Sequence, residues 1–335
     1  MILSMDLGPE SYNIVVERGA LTQAGEHFNL DRKVLIVTDS GVPAEYTQKI
    51  ASQCQNPYIE TFLQGEEHKN MQVYQTLLKR MVHEGFSRSD CVVAVGGGVC
   101  GDMAGFAAAS YMRGIDFYNV PTTLLSQVDS SIGGKVAIDF EGYKNVVGAF
   151  HQPKGVLIDP DVLQTLPKRQ IASGMAEVIK MSATCDAELF AFLEENDPMQ
   201  HIEAVIEGAL KIKKNVVEQD PKEKGLRRVL NFGHSVGHAI ESVAGFSALY
   251  HGECVALGML VLVAPELRAR LKRVLDKAGL PTEYTYDSAR VIEAMKMDKK
   301  VSDGALTVVT VRAIGSFDFE KIPLNELENK MKEVL

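Results

Sequence analysis

Residues 92–105 read VVAVGGGVCGDMAG. An apolar run leads straight into three consecutive glycines, and a helical pattern follows. VVAV, with no polar residue in it, suits a strand buried on both faces of a parallel sheet. Glycines at its end let backbone approach a phosphate closely, and a helix N-terminus beyond them favours an anion. Gly96-x-Gly98-x-x-Gly101 meets the spacing of a dinucleotide fingerprint. It lies far into the chain, however, and the next strand ends in Val120-Pro121-Thr122 without an acid to bind a ribose. A plain tight turn would use the same glycines, so this segment alone leaves both uses open. Asp39, closing KVLIVTD (33–39), is the better ribose candidate, with a simple turn aspartate as the alternative.

Working outward, YNIVVE (12–17), KVLIV (33–37), NPYIETF (56–62), CVVAV (91–95) and IDFYNV (115–120) read as strands. Helical patterns separate some of them: AEYTQKIASQC (44–54) and MQVYQTLLKRMVHEG (71–85). The second puts Val73, Leu77, Leu78 and Met81 on one face and ends at Gly85, a C-cap residue. Alternating strands and helices predict an α/β layered domain over residues 1–160. From 161 to 335 the pattern is mostly helical: Arg169–Thr184, a long amphipathic stretch near 200–218, Val229–Val243, and Glu253 onward to a stop or kink at Pro265. ALTVVTVR (305–312) is the one late strand candidate. Ligands of such domain pairs usually sit in the cleft between them.

The chain has 335 residues, enough for two domains, with 46% hydrophobic and 24% charged residues. Its 35 Lys and Arg against 44 Asp and Glu give a net charge of −9, which argues against nucleic acid as a partner. The longest uncharged apolar stretch, 255–264, is too short to span a bilayer, so no membrane is expected. The N-terminal stretch MILSMDLGPES has no basic region and does not read as a signal peptide. Five cysteines without a CxxC suggest free thiols in a reducing compartment, hence a cytoplasmic protein.

Three later segments carry metal-binding residue types. LNFGHSVGHAIE (230–241) places His234 and His238 four apart with Glu241 beyond them; LYHGECVALGM (249–259) adds His251; GMAEVIK (174–180) adds Glu177 and Lys180. Two histidines and a carboxylate form an open catalytic zinc site. Spacing alone makes His234 and His238 the pair, while buried histidines satisfied by hydrogen bonds are the plainer alternative. DSSIGGKVAID (129–139) and EGYKNVVGAFHQP (141–153) hold Asp129, Lys135, Lys144 and Asn145 among glycines, where loop polarity and anion binding are both open.

Taken together, GEEHK (65–69), GGGVCGDMAGFAAASYMRG (96–114), VPTTLLSQVDSSIGGKVAID (120–139), KNVVGAFHQP (144–153), GMAEVIK (174–180), GLRRVLNFGHSVGHAIE (225–241) and HGECVALGMLV (251–261) resemble the 3-dehydroquinate synthase family of sugar phosphate cyclases. The resemblance implies a Rossmann-like NAD-binding parallel-sheet domain followed by a mostly α-helical domain, one divalent metal (Zn2+, with Co2+ as the alternative), and a homodimer. It implies a phosphorylated sugar-acid substrate, 3-deoxy-D-arabino-heptulosonate 7-phosphate, converted to 3-dehydroquinate and phosphate. The steps it implies are oxidation of a ring hydroxyl by bound NAD, elimination of phosphate, reduction of the ketone again, and an aldol closure of the carbocycle.

Carried over by motif, the metal ligands are Glu177, His234 and His251, which moves His238 to the substrate side. The substrate set is Arg113, Asp129, Lys135, Lys144, Asn145, Lys180, Lys213, Arg227, Asn231, His238 and Lys299 in MKMDKK, with Lys300 as the alternative to the last. Arg113 resembles a residue that reaches into the neighbouring subunit's site. The NAD set is Asp39, Glu66, Lys69, Gly97, Asp102, Thr122, Thr123 and Thr165. Gly41 stands where the family usually has Asn, Ser235 where it has Thr, and the stretch between Met259 and 279–281 is shorter than in relatives. A NAD- and metal-dependent polyol dehydrogenase of the same architecture and a non-catalytic NAD-binding regulatory protein are the rival readings. The lysines and arginines of the substrate set would make the site locally positive within an acidic chain.

Overall fold

A computed structural model describes residues 1–245, 248–296, 301–302 and 304–335, and the chain divides into two compact units, Met1–Leu166 and Pro167–Leu335. No described helix is long and apolar enough to cross a membrane.

In the first unit the strands are β1 (Ile2–Met5), β2 (Tyr12–Val16), β3 (Lys33–Asp39), β4 (Asn56–Phe62), β5 (Cys91–Gly96), β6 (Asp116–Pro121), β7 (Lys135–Phe140), β8 (Tyr143–Phe150) and β9 (Gly155–Ile158). Its helices are the single turn α1 (Ala24–His27), α2 (Ala44–Ala51), α3 (Met71–His83) and α4 (Gly98–Ser110). Seven strands form one sheet in the order β1-β2-β9-β6-β5-β3-β4, parallel except for the β1–β2 pair. The apolar runs behave as their composition demands. Leu35, Val37, Val92 and Ala94 face one core with Leu77 and Met81 of α3, while Val34, Ile36, Cys91, Val93 and Val95 face the other. The alternation of a strand thus fills both faces at once.

β1 and β9 escape sequence reading because each is four residues long. The glycine-flanked polar segments read as loops are in fact a hairpin: β7 and β8 pair antiparallel, so Lys135, Lys144 and Asn145 sit on strands. β8 is exposed along nearly its whole length, which removes the in–out alternation that marks a strand. The first unit also continues past residue 160. Asp159 caps the turn Pro160–Thr165, Val162 packs into the sheet core, and Thr165 pairs with Tyr46.

The second unit holds α5 (Lys168–Cys185), α6 (Ala187–Glu195), α7 (Ile202–Gln219), α8 (His234–Ala244), α9 (His251–Leu262), α10 (Pro265–Lys277), α11 (Ser288–Lys296) and α12 (Leu324–Val334). A small antiparallel sheet, β10 (Val301–Ser302), β11 (Ala305–Thr310) and β12 (Asp318–Pro323), joins them. Pro265 does break the helix, and it opens α10 at the position where its missing N–H costs nothing. The helical pattern at 229–243 splits: Leu226–Asn231 is a 3-10 turn, and α8 begins only after Gly233, whose φ is +78°.

Two glycines set the helix spacing. A Cβ at Gly252 would lie 2.2 Å from the Ser173 carbonyl oxygen, and one at Gly258 2.0 Å from that of Gly233. Backbone touches backbone between α5 and α9 and between α9 and the start of α8, which draws three candidate ligands together. Since neither carbonyl can swing aside, Gly258→Ala should destabilise the folded chain by about 3 kcal/mol, read as a lower urea midpoint; a loss below about 1 kcal/mol contradicts this packing.

Candidate active site

In the first unit the sheet's strand succession reverses between β3 and β5. β4 adds to the outer side of β3, whereas β6 and β9 extend from β5 in the other direction. The crevice outside the carboxyl ends at such a reversal is where open α/β sheets bind ligands. Asp39 ends β3 there, Gly96 ends β5, and Gly97 caps α4. One Asp39 carboxylate oxygen accepts the Gly41 N–H at 2.9 Å, and burial raises its pKa. The Thr122 N–H donates to the Gly96 carbonyl at 2.9 Å, and a Cβ at Gly97 would stand 3.1 Å from Thr123 Cγ2. A bare backbone cradle therefore opens a helix N-terminus, as a pyrophosphate requires.

Beside it lies a charged cluster that sequence places in four separate segments. Buried Lys69 meets Asp102 Oδ2 at 2.6 Å, Glu66 Oε1 at 3.7 Å and Asn145 Oδ1 at 2.5 Å. Burial works against the Lys69 charge, yet Asp102 and Glu66 outweigh it and raise the pKa. Burial also raises Asp102, opposed by Lys69. Asn145, with φ +53°, receives no conformational help from glycine; its N–H donates to Asp139 Oδ1 at 2.8 Å, and the Asp139 N–H to the Lys69 carbonyl at 2.8 Å. Thr165 is instead tied to Tyr46 Oη at 2.9 Å and the Val162 carbonyl at 3.1 Å. Half-buried Asp129 sits in the π-helical turn Ser126–Ser130, and Lys135 and Lys144 are exposed on the hairpin. Arg113 is exposed in a turn where it and Met112 take φ of +69° and +49°. Left-handed backbone at non-glycine residues costs about 1–2 kcal/mol each.

The second unit assembles the metal candidates. Glu177 on α5 is almost wholly buried; its Oε2 pairs with Lys180 Nζ, one turn on. Its Oε1 has no hydrogen-bond partner and lies 3.6 Å from His234 Nε2 and 3.5 Å from His251 Nε2. Oxygen and nitrogen ligands about 2.0–2.1 Å from one tetrahedral ion stand roughly 3.3 Å apart, so the spacing fits a divalent ion. The other ring nitrogens are already engaged: His234 Nδ1 with the Phe232 carbonyl at 3.2 Å, His251 Nδ1 with Glu241 Oε2 at 3.4 Å. Outer oxygens of this kind fix the tautomer that leaves Nε2 as the ligand atom.

Burial pushes the Glu177 carboxyl up, but Lys180 and His251 outweigh it and bring it to about 2. Burial lowers His251, yet Glu177 and Glu241 raise it to about 9, while His234 falls well below its usual value through burial and Lys180. His234, His238 and His251 also offer nitrogens within 4.8 Å of one another, so spacing alone leaves two overlapping triads. His238 is exposed and His234 buried, and the unpartnered buried oxygen belongs to Glu177. That oxygen favours the triad Glu177, His234 and His251.

Lys180, Lys213 and Arg227 are buried in the same unit, and of these Lys180 pairs directly with Glu177. Arg227 Nη1 donates to the Pro221 carbonyl at 2.8 Å, and Asp220 accepts the backbone N–H groups of Lys224, Gly225 and Arg227. Asn231 Nδ2 donates to Glu223 Oε1 at 2.9 Å. Sequence reading did not single out Glu223: one acid in PKEKG carries no signal, and its φ of +54° shows only in three dimensions. Lys299 and Lys300 lie outside the described residues.

Known proteins resemble the chain over its whole length. The family descriptions "3-dehydroquinate synthase N-terminal" and "3-dehydroquinate synthase C-terminal" match residues 60–173 and 174–301. The chain belongs to the 3-dehydroquinate synthase family. It is 40% identical to the 3-dehydroquinate synthase of Streptococcus pneumoniae over 98% of this chain and 99% of that one, and 39% identical to that of Streptococcus sanguinis over 99% and 100%. Among solved structures it is similar to 2-deoxy-scyllo-inosose synthase complexed with carbaglucose-6-phosphate, NAD+ and Co2+ (TM-score 0.91, 25% identity, 100% of both chains). It is also similar to 2-epi-5-epi-valiolone synthase from Streptomyces hygroscopicus with NAD+ and Zn2+ bound (TM-score 0.87, 27% identity, 96% of both chains). A probable glycerol dehydrogenase from Sinorhizobium meliloti, at TM-score 0.62 and 17% identity over 96% and 95%, shares the fold.

The two triads make opposite predictions. His251→Ala and Glu177→Gln should each weaken Zn2+ binding about 100-fold or more, whereas His238→Ala retains one ion per chain in a chelator competition. Zinc loss from His238→Ala with retention by Glu177→Gln would establish the all-histidine triad instead.

Proposed function

We propose that the chain is a carbon–oxygen lyase that converts 3-deoxy-D-arabino-heptulosonate 7-phosphate to 3-dehydroquinate and phosphate. The observation that carries this is Glu177 Oε1, buried, without a hydrogen bond, and facing two imidazole nitrogens. Whole-length likeness to curated 3-dehydroquinate synthases supports the same reading.

In this reading Glu177, His234 and His251 hold the divalent ion. Asp39, Glu66, Lys69, Gly97, Asp102, Thr122, Thr123 and Thr165 hold NAD, with Asp39 accepting from a ribose hydroxyl. When bound, the ion supplies Lewis acidity toward a substrate oxygen and the nicotinamide takes up and returns a hydride. The chain's own residues do the rest. Lys180 keeps Glu177 anionic from the side away from the histidines. Arg113, Lys135, Lys144, Lys213 and Arg227 meet the carboxylate and phosphate, where fixed cations stabilise charge building on the departing phosphate. Asp129, Asn145 and Asn231 orient hydroxyls. His238, exposed one turn beyond His234, exchanges a proton with a hydroxyl through an imidazole nitrogen. A polyol dehydrogenase would not need this clamp for phosphate, and the dehydrogenases among the neighbours share the fold alone.

The reading includes a homodimer. The hairpin exposes Phe140, Tyr143, Val146 and Phe150, and the strained Arg113 turn exposes Met112. Large apolar side chains exposed together on one hairpin favour a partner, and a second copy seated there would cover them. Five free cysteines suit a reducing, cytoplasmic setting.

Purified chain with NAD, Zn2+ and the heptulosonate phosphate should release inorganic phosphate stoichiometrically without accumulating NADH. Steady NADH formation from polyols, with no phosphate release, contradicts the lyase reading. In sedimentation the parent should run as a dimer at micromolar concentration and the Tyr143→Asp, Phe150→Asp double variant as a monomer; a monomeric parent refutes the dimer.

A further inference from the structure

Two of the three metal-ligand candidates ride on helices that meet at one place, the first turn of α9 against the N-terminal half of α5. Close approach is set there by Gly252 against the Ser173 carbonyl, and the Gly252 N–H donates to Ser173 Oγ at 3.1 Å. His251 is the first residue of α9, so the orientation of that first turn sets the direction of its ring.

Glu253, buried two residues after His251, ties this turn in place. Its Oε2 accepts the Tyr250 N–H at 2.7 Å, capping α9. The same carboxylate takes a two-pronged bond from Arg169 on α5, Nε to Oε1 and Nη2 to Oε2, both 2.7 Å. Arg169 Nη2 also donates to the Ala248 carbonyl at 2.7 Å, and its guanidinium lies 4.1 Å from the centre of the Tyr250 ring. One side chain of α5 therefore grips the segment before His251, the aromatic residue beside it and the carboxylate after it. Planar fork geometry of this kind fixes direction as well as distance, which a lysine cannot do. Arg169 is eight residues from Glu177 on the same helix, about 12 Å along its axis, so it acts on the metal site only through what it holds.

We propose that Arg169 is a positioning residue of the metal centre, setting the orientation of His251 relative to Glu177 through Glu253. The proposal rests on the Glu177, His234, His251 reading of the site. Glu253 is the anchor and Arg169 the brace: without the brace, Glu253 still caps α9, but the cap is no longer tied to the helix that carries Glu177. The cost falls on metal affinity, because an imidazole that samples several directions must be ordered when the ion binds.

The test is Zn2+ affinity by chelator competition on full-length parent, Arg169→Met and Arg169→Lys, together with thermal unfolding of each with and without Zn2+. Groups that orient ligands typically contribute 10–100-fold to metal affinity, and for this indirect brace the expected loss in Arg169→Met is about tenfold. Arg169→Lys, which keeps charge and stem but not the fork, should recover less than half of that loss on a logarithmic scale. The zinc-induced rise in melting temperature should shrink in parallel, while NAD affinity stays at the parent value. Zn2+ affinity within about twofold of the parent in both variants, alongside a lower melting temperature without metal, overturns the proposal and leaves Arg169 a purely structural ion pair. A parent that binds no Zn2+, or whose binding survives His251→Ala, instead overturns the metal assignment beneath it.

Discussion

The candidate metal site of the second unit depends on how one buried carboxylate is divided. Glu177 gives Oε2 to Lys180 and leaves Oε1 facing two imidazoles, with no hydrogen bond to satisfy it. A carboxylate this deep is unfavourable unless its charge is met from both sides. Lys180 meets it on one side; on the other, an ion or a protonated His251 must do so. The two rings are pushed in opposite directions: burial and Lys180 lower His234, whereas Glu177 and Glu241 outweigh burial and raise His251. A divalent ion would replace that proton and bind both rings through nitrogens already aimed at Oε1.

That arrangement is the product of helix spacing. α9 meets α5 and the start of α8 backbone to backbone, and glycines such as 252 and 258 permit it. The Ser173 hydroxyl and the Arg169–Glu253 fork then set the rotation within the contact. The first unit solves a different problem by similar means. The reversal of strand succession between β3 and β5 opens a crevice floored by bare glycine backbone, with Asp39 on one lip and the Lys69–Asp102 pair beside it. In both units the groups that would carry charge are anchored by backbone or by buried partners, as a preorganised electrostatic site requires.

Much of this was legible in the residues, for reasons that can be named. KVLIV and CVVAV announce buried parallel strands because both faces of each must be apolar, and Val73, Leu77, Leu78 and Met81 announce α3 by spacing. Pro265 marks a helix boundary because it cannot continue one. The hairpin carrying Lys144 and Asn145 was not legible: an exposed two-stranded ribbon has no buried face to impose alternation, so its glycines read as loop. The histidine spacing and the buried carboxylate point to different ligand sets. His234 and His238 do share a helix face, but the edge of that face turns His238 outward while Glu177, remote in sequence, supplies the buried oxygen. Resemblance of motif brings in Glu177, which spacing within one segment cannot reach. Glu223 and the Arg169–Glu253 brace have no sequence signature, since single charged residues acquire meaning only from what the fold places beside them.

The central claim is that the ion is held by one carboxylate and two imidazoles. X-ray absorption at the zinc edge counts imidazoles directly, because the outer ring atoms of each bound histidine scatter in a recognisable way. On the zinc-loaded chain without substrate, the account predicts two imidazoles with the remaining ligands oxygen. Three imidazoles would contradict it, placing His238 on the ion and Glu177 outside the first ligand sphere.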